Sequence, residues 1–483
     1  MQSRRLDVNS ADDRWVSPYA DCFAKNVAML IDLRFTNFKS WPQANLKCGM
    51  ITGVFGTNSS GKTSLLQFLL MLKQTKDATD RAIALELNGD LVQLGTIKDV
   101  IHRHDEEKSI QFGLSFRLQH IHVLTDPSDK RTSAITRGQE IHLSADIGVR
   151  RRAPYTKKIA YKLGDMTFAL ELRDEESSAF DLSAYLQTTD RPQFRFVRTQ
   201  GRAWKLPGPI KSYAFPDQAR TFFQNSGFLA DLEAFYEEAL DGIYYLGPLR
   251  HPPERDYLWA RSRPSDVGFS GEKTIDAILS ASEANETRNV KPKAHHMPFQ
   301  EMIAYWLRQM GMIDSFRVEE IKEGSNLYRA YVRTRPGASE VLLTDVGFGV
   351  SQVLPVITLL QYVPAGSTVI LEQPEIHLHP LAQAALADVI IQAATHRRVQ
   401  VILESHSEHL LLRLQRRVAE QAVSAEDVEL YFCDAPSGES MLTPLKLDLY
   451  GNIGNWPENF MGDAFGETAE AELARLNRMQ AAE

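Results

Sequence analysis

The sequence predicts an α/β fold built around a phosphate-binding loop and interrupted by a β-rich and helical insertion, on three observations. Residues 50–55 (MITGVF) form an apolar run that leads into GTNSSGKT at residues 56–63 and then into a helical pattern from Ser64. Two further short apolar runs, residues 367–371 and 399–403, end in acidic segments that begin at Glu372 and Glu404. Between Leu85 and Leu182 the pattern changes to short alternating runs separated by charged or Asp/Gly-containing turns, the mark of strands.

GTNSSGKT satisfies the pattern G-x-x-x-x-G-K-[ST], and each residue type has its own task. Gly56, Thr57, Asn58, Ser59, Ser60 and Gly61 form a turn tight enough for successive N–H groups to face phosphate oxygens. Lys62 adds charge at the outer phosphates, Thr63 offers a hydroxyl to Mg²⁺, and Ser64 opens the helix. Leu65, Leu66, Leu69, Leu70 and Leu72 then make a core-facing stripe. Strand, loop and helix in this order predict a nucleoside triphosphate site.

A chain of 483 residues exceeds what one core usually supports, so two or three lobes are expected. The formal charge of −8 excludes the overall attraction to nucleic acid seen in strongly basic proteins. Nucleic acid is left a local patch, Arg150, Arg151, Arg152, Lys157 and Lys158, which reads first as a solvated hairpin face. Cys22, Cys48 and Cys433 are scattered and odd in number, as expected of reduced thiols in a cytoplasmic protein. No apolar stretch approaches about 18 residues, and the first 14 residues are polar and charged, so neither membrane span nor signal peptide is expected.

A second cluster begins at residues 344–362 (TDVGFGVSQVLPVITLLQY). Gly347 and Gly349 precede Ser351 and Gln352, where an apolar helix is expected to start with Pro355 in or near its first turn. Small residues ahead of a helix N-terminus leave N–H groups free for an anion, although a simple N-capped helix gives the same pattern. The next strand ends in Glu372, Gln373, Pro374 and Glu375, where a Mg²⁺ partner and a water-orienting group belong in a chain with a phosphate loop. The following strand ends in Glu404, Ser405 and His406, and His406 falls where a γ-phosphate sensor would sit.

Other constellations carry less. Gln93, in NGDLVQLGTIKD at residues 88–99, is a candidate Mg²⁺-sensing loop glutamine or an exposed strand-end residue. The basic segment at residues 250–263 suits a phosphate, a protein partner, or ion pairs with Glu254 and Asp256. His377 and His379 beside Glu375 do not close a metal shell and read as a turn. Ser405, His406 and Ser407 lack the G-x-S-x-G elbow a hydrolase nucleophile needs.

Taken together, this order resembles the ABC-type ATPase heads of the structural-maintenance-of-chromosomes, RecF and overcoming-lysogenization-defect clan. It is more similar still to bacterial AAA ATPases that share FTNFKSW (residues 35–41), YLGPLR (245–250), DVGFGVSQVLP (345–355), EQPEIHLHP (372–380) and ESHSEHLLLR (404–413). The resemblance implies a P-loop NTPase with an ABC-type head and ATP and Mg²⁺ as ligands. It makes residues 56–64 the Walker A loop, Gly349, Ser351 and Gln352 the signature that meets a partner subunit's ATP, Glu372 the end of Walker B and His406 the switch histidine. A metal site of Thr63, Glu372 and Gln93 and a catalytic set of Glu372, Gln373, Glu375 and His406 follow. A signature remote from its own Walker A implies a homodimer or a higher even-numbered oligomer.

Two departures shape the expectation. The usual Asp-Glu pair of Walker B reads Glu372-Gln373, and a glutamine orients water without accepting its proton, so hydrolysis is expected to be slow unless Glu375 supplies the carboxylate. The signature also departs from Leu-Ser-Gly-Gly-Gln. Residues after His406 lack an Asp-x-Asp cluster, so no nuclease module of the overcoming-lysogenization-defect type is expected. By resemblance the chain is a cytoplasmic ATP-driven switch controlling a separately encoded effector, a nuclease, in antiphage defence or DNA maintenance; the alternative is a non-hydrolysing ATP-binding scaffold. The expected division is an N-terminal extension at 1–28, an ATPase core at 29–84 and 335–425, an inserted lobe at 85–334 and a C-terminal tail at 426–483.

Overall fold

A computed structural model of the chain describes residues 28–126, 134–174, 179–186, 194–201, 205–457, 470, 473–475 and 478. The expected N-terminal extension with Cys22, and most of the tail beyond residue 457, lie outside the described residues. Two sheets organise the rest. The central sheet has six strands in the order Met441–Leu445, Val428–Asp434, Ile51–Gly56, Gln400–Glu404, Thr368–Glu372 and Ile243–Leu246. Its last five strands are parallel and the Met441–Leu445 edge is antiparallel. Ile51–Gly56, Thr368–Glu372 and Gln400–Glu404 are buried along their whole length, which is why their sequences read as unbroken apolar runs.

Parallel strands share one carboxyl edge, and that edge gathers the chemistry. Glu372 is in register with Glu404, and Glu404 with Val54, two residues before the phosphate loop. The helix Lys62–Asp77 lies between this sheet and an antiparallel sheet of seven strands, Trp41–Lys47, Met29–Phe38, Ile110–Thr125, Ala134–Arg150, Ala153–Leu163, Met166–Asp174 and Ala179–Leu186. Phe68 stacks on Phe35 at 4.3 Å between ring centroids and meets Phe38 and Phe112 edge-on, so the helix is held from the side opposite the central sheet.

The α/β fold with its P-loop and inserted strands is as the sequence predicts, but the elements are shared differently from the expected division. Ile243–Leu246, placed by sequence in the inserted lobe, is a strand of the central sheet. Val428–Asp434, placed in the tail, pairs with the phosphate-loop strand. Met29–Phe38, placed in the core, joins the antiparallel sheet. Each difference has one cause: sheet membership is decided by hydrogen bonds between segments up to several hundred residues apart, to which local periodicity is blind. The helix Phe348–Tyr362 also begins before Ser351, which puts Pro355 in its interior instead of its first turn.

Beneath the antiparallel sheet, Glu233 on the helix Leu229–Asp241 accepts hydrogen bonds from Phe215 N and Arg220 Nη2, each at 2.9 Å. Burial outweighs these bonds and pushes its carboxyl up to about 7. The unfolded chain releases this proton near pH 4.5 and the folded one near 7, so the stability held in the protonated form is full below about 4.5 and lost as pH rises through 7. Glu233→Gln is expected to flatten this part of the pH dependence. Urea unfolding at pH 5 and pH 8 should show a smaller difference for the variant than for the wild type.

Candidate functional site

An open cleft of about 590 Å³ lies at the carboxyl edge of the central sheet, lined by the loop from Asn58 to Ser64 together with Gln373, Glu404 and His406. The loop's shape depends on its glycines. Gly56 has φ 147°, and a Cβ there would stand 2.0 Å from Cys433 O; Gly61 has φ 99° at the helix N-terminus, with Ser440 Oγ 2.2 Å from where a Cβ would be. Ser59 also adopts the left-handed region, at φ 60°. Ser60 is buried, and its Oγ donates to Thr57 O at 2.9 Å. Trp41 Nε1 donates to Ser64 Oγ at 3.0 Å, which ties the helix start to the antiparallel sheet.

Lys62 is folded back onto the loop, with Nζ donating to Thr57 O at 2.6 Å and Gly56 O at 3.2 Å. Burial lowers its pKa, and Glu404, Cys433 and Glu375 oppose the drop. Thr63 Oγ1 donates to Glu404 Oε2 at 2.9 Å and lies 3.1 Å from Oε1. Glu404 therefore stands nearer the expected metal hydroxyl than sequence reasoning assigned. The signal was present: it is the last residue of an apolar strand, as Glu372 is of its neighbour.

Glu372 is buried and accepts from Tyr245 OH at 3.1 Å. Burial and the nearby Glu404 charge push its carboxyl up to about 7, against Tyr245 and Arg250. Burial also raises the pKa of Glu404 and of Glu375, whose Oε1 accepts from His406 N at 2.8 Å. His406 is lowered by burial and then by Lys62. Gln373 has a left-handed backbone, φ 43°, held by its N–H on Glu404 O at 2.8 Å, and it presents its side chain to the cleft. Behind this turn, Arg250 Nη2 donates to Glu372 O at 3.3 Å, while Nε and Nη1 are buried without hydrogen-bond partners. Desolvation brings the Arg250 pKa down to about 10.

The residues fit Mg²⁺. Thr63 Oγ1 and the Glu404 carboxylate are hard oxygen donors side by side at the cleft, Glu404 and Glu375 both act on Lys62, and Glu372 lies close enough to Glu404 to feel its charge, a carboxylate crowding that a hard divalent cation relieves. Among the described residues no three His, Cys, Asp or Glu side chains form a metal cage of their own. Mg²⁺ is usually held by one or two protein oxygens plus phosphate, and Thr63 Oγ1 and Glu404 are two such oxygens.

The fold does not bring every expected site residue to the cleft. Gln93 pairs with Asn88 in a hairpin whose Val92 bonds the Gln74 side chain, 11 residues, about 16 Å, up the helix from Thr63. Ser351 and Gln352 are buried in the helix Phe348–Tyr362, and Ser351 lines a separate small pocket with His251 and Glu254. Phe348, at the tip of that helix, is 72% exposed. His377 and His379 belong to the turn before the helix Pro380–His396, which His379 caps. Cys48 and Cys433 are free and buried, and Cys433 Sγ donates to Ser60 O at 3.1 Å.

A parallel sheet with a glycine-rich loop at its carboxyl edge, flanked by an antiparallel sheet, defines a P-loop NTPase fold. The chain belongs to the family described as "AAA domain, putative AbiEii toxin, Type IV TA system", which matches residues 51–413. A second family, a protein of unknown function (DUF3696), matches residues 423–470. Among solved structures it is similar to an Smc head bound to the C-terminal winged-helix domain of ScpA, with 12% identity, 87% of this chain and 98% of that chain covered, and a TM-score of 0.43. It is similar also to the SMC head domain from Thermotoga maritima, with 11% identity, 86% and 99% covered and a TM-score of 0.39. The Smc head from Pyrococcus furiosus bound to the ScpA C-terminal domain gives 9% identity, 87% and 97% covered and a TM-score of 0.41. No curated protein matches the sequence. No helix among the described residues is long and apolar enough to cross a membrane.

Proposed function

We propose that the protein is a slowly hydrolysing ATPase whose nucleotide state controls its own dimerisation and, through that, a separately encoded effector, a nuclease in antiphage defence or DNA maintenance. The observation that carries the hydrolytic part is the meeting of Thr63, Glu404, Gln373 and His406 with Lys62 in one cleft. The loop amides from Gly56 to Ser64 bind the phosphates, and Lys62 Nζ exchanges its two carbonyl partners for the outer phosphates. Thr63 with Glu372 or Glu404 would hold Mg²⁺, which when bound neutralises charge on the phosphates.

Gln373 orients the attacking water through its side-chain amide. Water adds to the γ-phosphorus as the bond to the bridging oxygen breaks, giving ADP and phosphate, and the water's proton passes to phosphate or Glu375. His406, whose pKa burial and then Lys62 lower, donates a hydrogen bond to the γ-phosphate. Ser351 lines a different pocket from this cleft, and the roles of Gly349, Ser351 and Gln352 toward the nucleotide of a second copy, like the dimer itself, rest on the family resemblance. The effector and the defence role rest on the family resemblance.

Phosphate release and mass by light scattering, measured with and without ATP, test the proposal. The expected result is turnover well below the ~1 s⁻¹ typical of slow kinases, with a dimer that accumulates on ATP. A monomer at every nucleotide concentration overturns the switch, and ATP retained without any phosphate release leaves the scaffold reading.

A further inference from the structure

The cleft has two distinguishable ends. Thr63 and Glu404 mark the end for the metal and terminal phosphates. One helical turn further, about 6 Å, Gln67 Oε1 accepts from Lys39 Nζ at 2.7 Å. Against Lys39 packs a short loop: His102 Nδ1 is 2.8 Å from Lys39 O, and Lys39 N donates to Val100 O at 2.6 Å. Ile101, Arg103 and His104 of that loop line the cleft. A triphosphate seated on the loop amides with its last phosphate near Glu404 therefore delivers its nucleoside to this wall.

The wall is strained and over-determined. Arg103 and His104 are consecutive non-glycine residues in the left-handed region, each at φ 56°. Such backbone persists where surrounding contacts fix it, and it concentrates at ligand clamps. Here His104 Nδ1 is 2.6 Å from Lys98 O, His102 Nε2 is 3.3 Å from Glu439 Oε1, and Arg103 Nη2 bonds the same carboxylate. Glu439 is itself fixed beside the phosphate loop, since Ser440 N donates to Ser40 O at 2.8 Å and Ser440 Oγ to Ser40 Oγ at 2.6 Å. Among the described residues no Phe, Tyr or Trp lines the cleft, so the flat groups at its nucleoside end are the Arg103 guanidinium and the His104 ring.

We propose that residues 101–104 form the nucleobase wall of the site, with the base stacking on the Arg103 guanidinium that Glu439 holds in place. A planar, weakly hydrated guanidinium can stack on a base, whereas a lysine ammonium supplies charge without a plane. This inference rests on the reading of the cleft as an ATP site. The test titrates the full chain calorimetrically with ATP and with tripolyphosphate, which has the phosphates and no base.

Arg103→Ala and Arg103→Lys are each expected to weaken ATP about tenfold, the lower range of base stacking, and to leave tripolyphosphate unchanged. Unchanged tripolyphosphate binding also shows that the variants fold. Arg103→Lys with wild-type ATP affinity, or equal weakening of both ligands, overturns stacking in favour of simple charge. Arg103→Ala binding ATP as wild type does overturns this inference alone. A wild-type chain that binds neither ligand removes the ATP site itself.

Discussion

Lys62→Ala is expected to weaken ATP binding by at least about a hundredfold and to reduce phosphate release to background. Hydrogen bonds to charged groups contribute about 1.5–3 kcal/mol each, and a lysine bridging two phosphates makes at least two, so the loss is on the order of 3–6 kcal/mol. Folding should be little affected, because without nucleotide Nζ holds only the carbonyls of Gly56 and Thr57, groups of its own loop. A fluorescent-ATP titration beside a thermal melt separates the two effects. The companion change is Gln373→Glu, which restores a proton acceptor where the strained turn already presents a side chain to the cleft. It should raise turnover at least tenfold, toward the range contributed by general-base groups. Unchanged turnover in Gln373→Glu would move the slow step away from water activation.

The phosphate loop was legible because its chemistry is local: eight consecutive residues dictate glycine at the tight turns, lysine at the charge and a hydroxyl at the metal. The strands ending at Glu372 and Glu404 were legible for a related reason, since burial on both faces leaves short runs of Val, Ile and Leu. What those strands do together was not legible. Glu372 and Glu404 are 32 residues apart in sequence and become neighbours only through register, so Glu404 passed as part of the switch-histidine segment while its carboxylate sits on Thr63.

The hidden contacts are of one kind. Lys39 and Arg103 line the cleft from the turn between Met29–Phe38 and Trp41–Lys47 and from the loop ahead of Ile110–Thr125, while Trp41 and Glu439 stand behind it, bonded to Ser64 and to Arg103. None carries a motif, because an indole, an ammonium or a guanidinium on a loop has the same local pattern whether it faces solvent or a nucleotide. Gln93 illustrates the converse. Its neighbours in sequence suit a metal-sensing loop, yet the hairpin is captured by the Gln74 side chain through two bonds to Val92.

Gly56→Ala should unfold the site from the strand side, with an expected loss of about 3–5 kcal/mol, the range of the most severe single substitutions. Two separate costs act there. A φ of 147° is a conformation that residues bearing a Cβ rarely adopt, and the added carbon would lie 2.0 Å from Cys433 O and 2.9 Å from Cys433 C, both backbone atoms of the neighbouring strand. Backbone cannot rotate away as a side chain can. Relief requires parting Gly56 from Cys433, the last register pair between Ile51–Gly56 and Val428–Asp434, and with it the start of the phosphate loop. Gly324→Ala serves as a positive-φ reference without the clash, because φ there is 79° with nothing within 4 Å of the added carbon, so about 1 kcal/mol is expected. Chemical denaturation of both variants decides the matter: if Gly56→Ala loses no more than Gly324→Ala, the strand does not grip the loop, and the shape of the triphosphate seat comes from the loop's own residues.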